Sequence, residues 1–390
     1  MKTKYLLSLV VVFSGLLSVV DSAFAETWTL TGAPSTNWHA VASSWDAAKL
    51  VAIDGGDGLI YTSTNSGATW TQATNAPNLY WNAVASSTNG NKLVAVAAGD
   101  RIYTSTNSGL LWKVSTNAPI WNWVSVASSW DGTKLAATRG YGGDGSIYTS
   151  TDSGTTWVSN NVASQYWFSI ASSWDGTKLI AAGNSDPLGN PGSIYTSTNS
   201  GSTWTSNNLP AFNWNAVSSS ADGTRLVAVT VNEIYFSANS GVTWTTAAAP
   251  SGYFVSVASS ADGSKVVVAP GGGIIYISTD SGATWTPSTA PNLPWNSVAA
   301  SLDGNKLVAA VGGGGIYTSQ SGPALSLALS TTNNSLVWPW PSEGFGLQQN
   351  TNLLTTNWVT VTNIPVITNW RNQVLLARTN GNRFFRLKSP

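Results

Sequence analysis

The chain has no cysteine, one methionine and one histidine, and charged residues make up only 9% of its 390 positions. Without cysteine there are no disulfides, no thiolate nucleophiles and no cysteine-based zinc sites, so stability has to come from burial. Lys+Arg and Asp+Glu are both 17. That balance lacks the basic excess that binding to a phosphate backbone requires, and it excludes nucleic acid as an expected partner. The lone His39 sits beside Trp38 at a repeat position, and no Ser-His-Asp arrangement is visible. Past the first 25 residues no stretch approaches the ~20 apolar residues of a membrane-spanning helix. The surface is left to Ser, Thr, Asn and Gly, which suits an extracellular setting.

The first residues do carry a signal. Lys2 and Lys4 precede an apolar run from Tyr5 to Val20, and Ala23-Phe24-Ala25 follows. This pattern predicts a secretory signal peptide over 1–25, cleaved after Ala25, and a protein that is secreted, periplasmic or held at the cell surface.

Internal repetition dominates the rest. An aromatic followed three residues later by Val or Ile recurs at Val41, Val84, Val126, Ile170, Val217, Val257 and Val298, with spacings of 40 to 47 residues. Such a period is the signature of a propeller. In the second copy, Trp81–Ser86, Leu93–Ala97, Ile102–Thr106 and Leu111–Val114 read as four strands. Asn89-Gly90 and Ser108-Gly109 supply turns between them. The seventh copy reaches Gly322 and meets Pro323 where Thr-Trp is due, while Thr27-Trp28 supplies that pair at the other end. The expected fold is therefore all-β: a seven-bladed propeller of four-stranded blades over 26–322, its last blade completed by the N-terminal strand. Truncating that strand should open the ring.

The segments Ser63-Thr64-Asn65-Ser66-Gly67-Ala68-Thr69-Trp70, Ser150 to Trp157 and Ser278 to Trp285 resemble the Asp-box or BNR repeat, Ser-x-Asp-x-Gly-x-Thr-Trp. That repeat occurs in sialidases, sortilin-type receptors, xyloglucan-active glycosidases and the photosystem II assembly factor. Asn65, Asn107, Asn199 and Asn239 stand where the motif has Asp, and Asn keeps the same local bonding capacity. The resemblance implies a propeller whose Asp-boxes are structural turns on the face away from the binding site. The Asp-Gly hairpins at Asp131, Asp175, Asp222, Asp262 and Asp303 read as structural turns too. Residues 323–390, with Leu336-Val337-Trp338-Pro339 and Arg383-Phe384-Phe385-Arg386-Leu387, resemble a C-terminal β-module of exported proteins from verrucomicrobia-like bacteria. They read as a small β-sandwich serving either sorting and attachment or accessory binding.

Function is expected on the other face, in the loops between strands two and three and between blades. The recurring aromatics Trp38, Trp81, Trp123, Trp167, Trp214, Phe254 and Trp295 are expected to pack between blades. Tyr80, Trp121, Tyr141, Tyr166, Phe212 and Tyr253 are not demanded by the repeat and are the candidate ligand-binding residues. A sialidase would need an arginine cluster and a Tyr-Glu pair, which the sequence does not supply. Asp144 and Asp186, from adjacent blades, are the one pair that could serve a glycoside hydrolase. The leading expectation is a non-catalytic exported scaffold, monomeric, without metal or cofactor, binding a polysaccharide or an extracellular protein. A propeller-family glycosidase is the alternative.

Overall fold

The structure is a computed structural model. It describes residues 9–12, 17–20, 26–140, 145–160, 162–185, 189–248, 250, 252–321, 325–329, 334–339, 346–351, 357–368, 371–376 and 383–388. Two compact units result: Thr27–Ser319, and Met1–Glu26 with Gln320–Pro390. Among the described residues there is no helix, and none is therefore long and apolar enough to cross a membrane.

Thr27–Ser319 forms seven four-stranded antiparallel sheets, one per repeat. Blade one runs Trp38–Ser43, Leu50–Asp54, Ile60–Ser63 and Thr71–Gln72, from the axis outward. Blade seven runs Trp295–Ala300, Lys306–Val311 and Ile316–Gln320, and its fourth strand is Thr27–Leu30 from the start of the unit. The N-terminal strand thus completes the last blade. Outer strands are shorter than the sequence suggests. In blade two the strand begins at Lys113, because the turn extends through Leu111 and Trp112 is buried.

One face of each blade is aromatic and the other aliphatic. Trp38 meets Tyr61 edge-on at 5.4 Å, and the same Trp–Tyr pair recurs at 5.2–5.5 Å in blades two to five and seven. The aromatic face packs on the aliphatic face of the preceding blade. Trp81, Val84 and Leu93 lie against Val51, Ile53 and Ile60; Trp38 and Val41 lie against Val308, Ala310 and Ile316 of blade seven. All seven recurring aromatics are fully buried, so they are interblade core.

Turn chemistry repeats with the blades. Ser63 donates to Asn65 Oδ1 (2.9 Å) and accepts from Gly67 N–H (2.9 Å), and Asn65 Oδ1 accepts from Thr69 N–H (2.9 Å). Asp152 makes the same contacts, with one difference of proton direction. Asn65 Nδ2 donates to the Thr69 hydroxyl, whereas Asp152 Oδ2 accepts from the Thr156 hydroxyl. A threonine hydroxyl serves either way, which is why Asn replaces Asp here without loss. Burial pushes the Asp152 and Asp280 carboxyls up, but hydrogen bonds from Thr156 and Thr284 and their backbone outweigh it and hold both below the ordinary value.

The hairpin after each inner strand places a residue in the left-handed region, Gly in six blades (Gly132 at φ 65) and Ala47 (φ 52) in blade one. An L-residue there costs roughly 1–2 kcal/mol, partly offset by the greater unfolded-state freedom of glycine. Ala47→Gly is therefore expected to raise stability by about 0.5 kcal/mol, read as a higher urea midpoint. A lower midpoint would show that its buried methyl contributes more than its backbone costs.

The second unit is a β-sandwich. One sheet holds Ser326–Leu329, Asn334–Pro339, Arg371–Leu376 and Val366–Thr368. The other holds Gly346–Asn350, Val359–Thr360 and Arg383–Lys388. Leu336, Trp338, Leu347, Val374, Phe385 and Leu387 form the core between them. Leu9–Val12 and Leu17–Val20, within the expected leader, pair onto this second sheet, with Val10 opposite Phe385.

Candidate functional site

The inner strands contact one another in a closed circle, from Trp38–Ser43 around to Trp295–Ala300 and back. Each has the same irregularity. The aromatic and the Val or Ile three positions on are both buried, which strict alternation cannot produce, and the register shifts between them in every blade. The extra residue is a β-bulge, which bends the strand and re-aims its side chains. The bulged residues are His39, Asn82, Val124, Phe168, Asn215, Val255 and Asn296.

The residue just before each aromatic stands at the loop-face end of its inner strand. Its carbonyl accepts from the end of the neighbouring strand: Gly55 N–H to Asn37 O (3.0 Å), Ala98 to Tyr80 (2.9 Å), Gly140 to Asn122 (3.0 Å), Gly271 to Tyr253 (2.8 Å) and Gly312 to Pro294 (3.0 Å). Tyr166 is paired with Asn184 at the same position. Around the axis this position therefore reads Asn37, Tyr80, Asn122, Tyr166, Asn213, Tyr253, Pro294, an alternation of tyrosine and asparagine. Tyr166 is half-buried and the other six are exposed, Tyr80 at 58% and Tyr253 at 56%. His39 of blade one lies edge-on to Tyr80 of blade two at 6.3 Å, joining the two rings of residues across a blade junction. Burial lowers the His39 pKa, which keeps its imidazole neutral at physiological pH.

The candidate aromatics thus fall into two groups. Tyr80, Tyr166 and Tyr253 share one position at the mouth of the ring. Trp121 and Phe212 sit one residue farther back and bridge to the preceding blade, opposite Asp100 and Gly192. Both are half-buried: Arg139 stacks on Trp121 at 3.5 Å, and Phe212 packs on Trp214 and Tyr235. Both are tied into blade packing, one position behind the mouth. Tyr141, Asp144 and Asp186 lie outside the described residues. Asn37, Asn122 and Asn213 were not among the candidates, although aligning the position before each repeat aromatic exposes them. The odd three-residue spacing of buried positions was the available signal for the bulge.

Three charged side chains on this face are held by the scaffold, whereas Asp57 is exposed. Asp54 is buried and accepts from Thr36 Oγ1 (3.0 Å), Gly56 N–H (2.8 Å) and Asp57 N–H (3.1 Å), closing its own loop. Arg101 donates to the Ala118 carbonyl (2.6 Å) and to that of Thr116. Glu233 accepts from the Tyr235 hydroxyl at 2.7 Å; burial, and then that carboxylate, pushes the phenol up to about 12. Among the described residues no three His, Asp or Glu side chains cluster as metal ligands would. The seven described mouth positions are uncharged, aromatic and amide-rich. They can stack, donate and accept, and their side chains offer no acid–base pair.

No protein-family model and no curated protein matches the chain. Solved structures do. YCF48 bound to D1 peptide is similar with a TM-score of 0.59 and 17% identity, covering 76% of this chain and 97% of that one. YCF48 from Cyanidioschyzon merolae is similar with a TM-score of 0.57 and 16% identity, covering 75% and 98%. At these identities the likeness is one of fold: a β-propeller of repeated four-stranded blades.

Proposed function

We propose that this protein is an exported, non-catalytic scaffold that captures an extended segment of another protein at the loop-face mouth. The observation that carries the reading is the ring of Tyr80, Tyr166 and Tyr253 alternating with Asn37, Asn122 and Asn213. Tyrosine gives large, rigid, amphipathic contact area with few rotors to freeze, and asparagine gives adaptable donors and acceptors for a peptide backbone. The seven uncharged mouth positions favour a neutral segment over an acidic or basic one. The fold likeness to a propeller described as bound to a peptide supports the same reading. The leader-like Lys2, Lys4 and Tyr5–Val20 run supports export. A polysaccharide strand, the other ligand class that exposed tyrosines accommodate, is separated from a protein segment by the test.

The test is to pan the mature protein against a random linear peptide library and measure the enriched peptides by fluorescence anisotropy. Tyr80→Ala and Tyr253→Ala are each expected to weaken binding about tenfold or more, the scale of an aromatic hot spot. Trp121→Ala should act chiefly through stability. An absence of enrichment alongside retention on insoluble polysaccharide would replace the peptide reading. Peptide affinities unmoved by both tyrosine changes would remove the mouth from it.

A further inference from the structure

The opposite end of the axis holds a second site. Two residues past the end of each inner strand stands a residue whose N–H donates to the carbonyl of its counterpart in the next blade; two serines precede it in blades one to six, and Ala300-Ser301 in blade seven. The links run Trp45 to Thr88, Thr88 to Trp130, Trp130 to Trp174, Trp174 to Ala221, Ala221 to Ala261, Ala261 to Leu302 and Leu302 back to Trp45, all at 2.7–2.8 Å. This closed belt of seven backbone hydrogen bonds fixes the seven positions without using any side chain. The repeat therefore has no need of an aromatic there, and blades five and six carry alanine. Tryptophan nonetheless stands in blades one, three and four, giving the axial opening an aromatic wall on one side and a low wall at Ala221 and Ala261 on the other.

The belt residues and the serines above them line a half-open cavity of about 170 Å³. Its lining has no ionisable side chain. Trp130 is 49% exposed, with its ring 6.1 Å from that of Trp174 and inclined at 36°. Three serine hydroxyls around the cavity donate to a neighbouring carbonyl: Ser86 to Ser87 O (2.9 Å), Ser128 to Ser129 O (3.0 Å) and Ser172 to Ser173 O (2.9 Å). Each keeps oxygen lone pairs for an incoming donor. A fitting ligand is uncharged, has a flat C–H face to lie on indole and carries several hydroxyl donors. The volume suits one ring rather than a chain.

We propose that this axial cavity on the turn face is a subsite for a single neutral sugar ring, stacked on Trp130 and Trp174 with its hydroxyls directed to the serines. It is separate from the loop-face mouth and independent of the peptide reading. The turns themselves remain structural on this face, since their Ser and Asp or Asn side chains are bonded to one another.

The experiment is saturation-transfer NMR on the full-length protein, with the methyl glycosides of glucose, galactose, mannose and N-acetylglucosamine as probes. At least one should show saturable transfer, strongest on the C–H groups of one ring face. Trp130→Ala should weaken its binding about tenfold or more, the loss expected of one aromatic stack. Trp130→Phe should keep part of it. Ala221→Trp, which fills the low side of the cavity while leaving both indoles in place, should abolish it, and so guards against a stability artefact of Trp130→Ala. Tyr80→Ala should leave it unchanged. No saturable transfer from any of the four glycosides would overturn the proposal. So would transfer that persists in both Trp130→Ala and Ala221→Trp, or displacement of the glycoside by a proline-rich peptide that binds more tightly at the same indoles.

Discussion

Removing residues 27–36, which contain the strand Thr27–Leu30, is expected to lower the melting temperature by about 10 °C and to make the protein self-associate. The strand is the outer edge of blade seven, and Trp28 within it lies 6.0 Å from Trp295. Just beyond it, Thr31 N–H donates to Ile316 O (2.9 Å) and Thr36 N–H to Gly314 O (3.0 Å). At about 1 kcal/mol per lost backbone hydrogen bond, plus the half-buried indole, the deletion costs roughly 3–5 kcal/mol. The ring is loosened by this but not undone, which narrows the expectation that truncation opens it. The junction of blades seven and one keeps its apolar cluster of Trp38, Val41, Val308 and Ala310. It also keeps Asn296 Nδ2 donating to Trp38 O (2.8 Å), Val41 N–H donating to Ser297 Oγ (3.2 Å), and the belt bond from Leu302 N–H to Trp45 O (2.8 Å). The exposed edge of Ile316–Gln320 is then a template for another chain. Scanning calorimetry and size-exclusion chromatography read both effects, and a synthetic peptide of residues 26–36 added in trans should reverse them. An unchanged melting temperature would mean that the belt and the apolar junction alone close the ring.

Trp81→Ala should be the most damaging single substitution of the same order, at about 3–5 kcal/mol. Its side chain is fully buried against Val51, Ile53 and Ile60 of blade one and meets Tyr103 at 5.3 Å. Its indole N–H also donates to Gly58 O across the junction at 2.9 Å. Gly58 cannot move to fill the space: a Cβ there would sit 2.5 Å from Leu79 O, so the two backbones are already in contact. The cavity therefore stays largely open, and the cost sits at the upper end of the range. Trp81→Phe should lose about half as much, since blade six holds Phe254 at this position, also fully buried. Urea unfolding of the two variants decides the matter. Equal losses would shift the weight from ring volume to the hydrogen bond.

Much of this was legible in the sequence because its signals are local. Asp-Gly and Ser-Gly turns, a continuous apolar second strand and a Trp–Val pair recurring every 40 to 47 residues specify a four-stranded blade, its copy number and the split last blade. The structure returned these with only the outer strands shortened. The candidate site was legible in part. Tyr80, Tyr166 and Tyr253 stood out as additions to the repeat, but so did Trp121 and Phe212, which turned out to be tied into the blade junctions. Nothing in their own neighbourhoods separates the two groups, since exposure depends on what the preceding blade brings alongside.

The sequence by itself determined the architecture: how many blades, which strand closes them, and which aromatics are core. Those properties follow from burial periodicity and turn chemistry within one repeat. Only the tertiary structure decided what the ring assembles at its two ends. Closure brings together residues about one repeat apart in the chain, so a tyrosine–asparagine mouth and a tryptophan-walled cavity exist only once seven bulged inner strands stand side by side. No single repeat contains either arrangement, which is why the chain read in order shows seven similar blades and the folded ring shows two unlike faces.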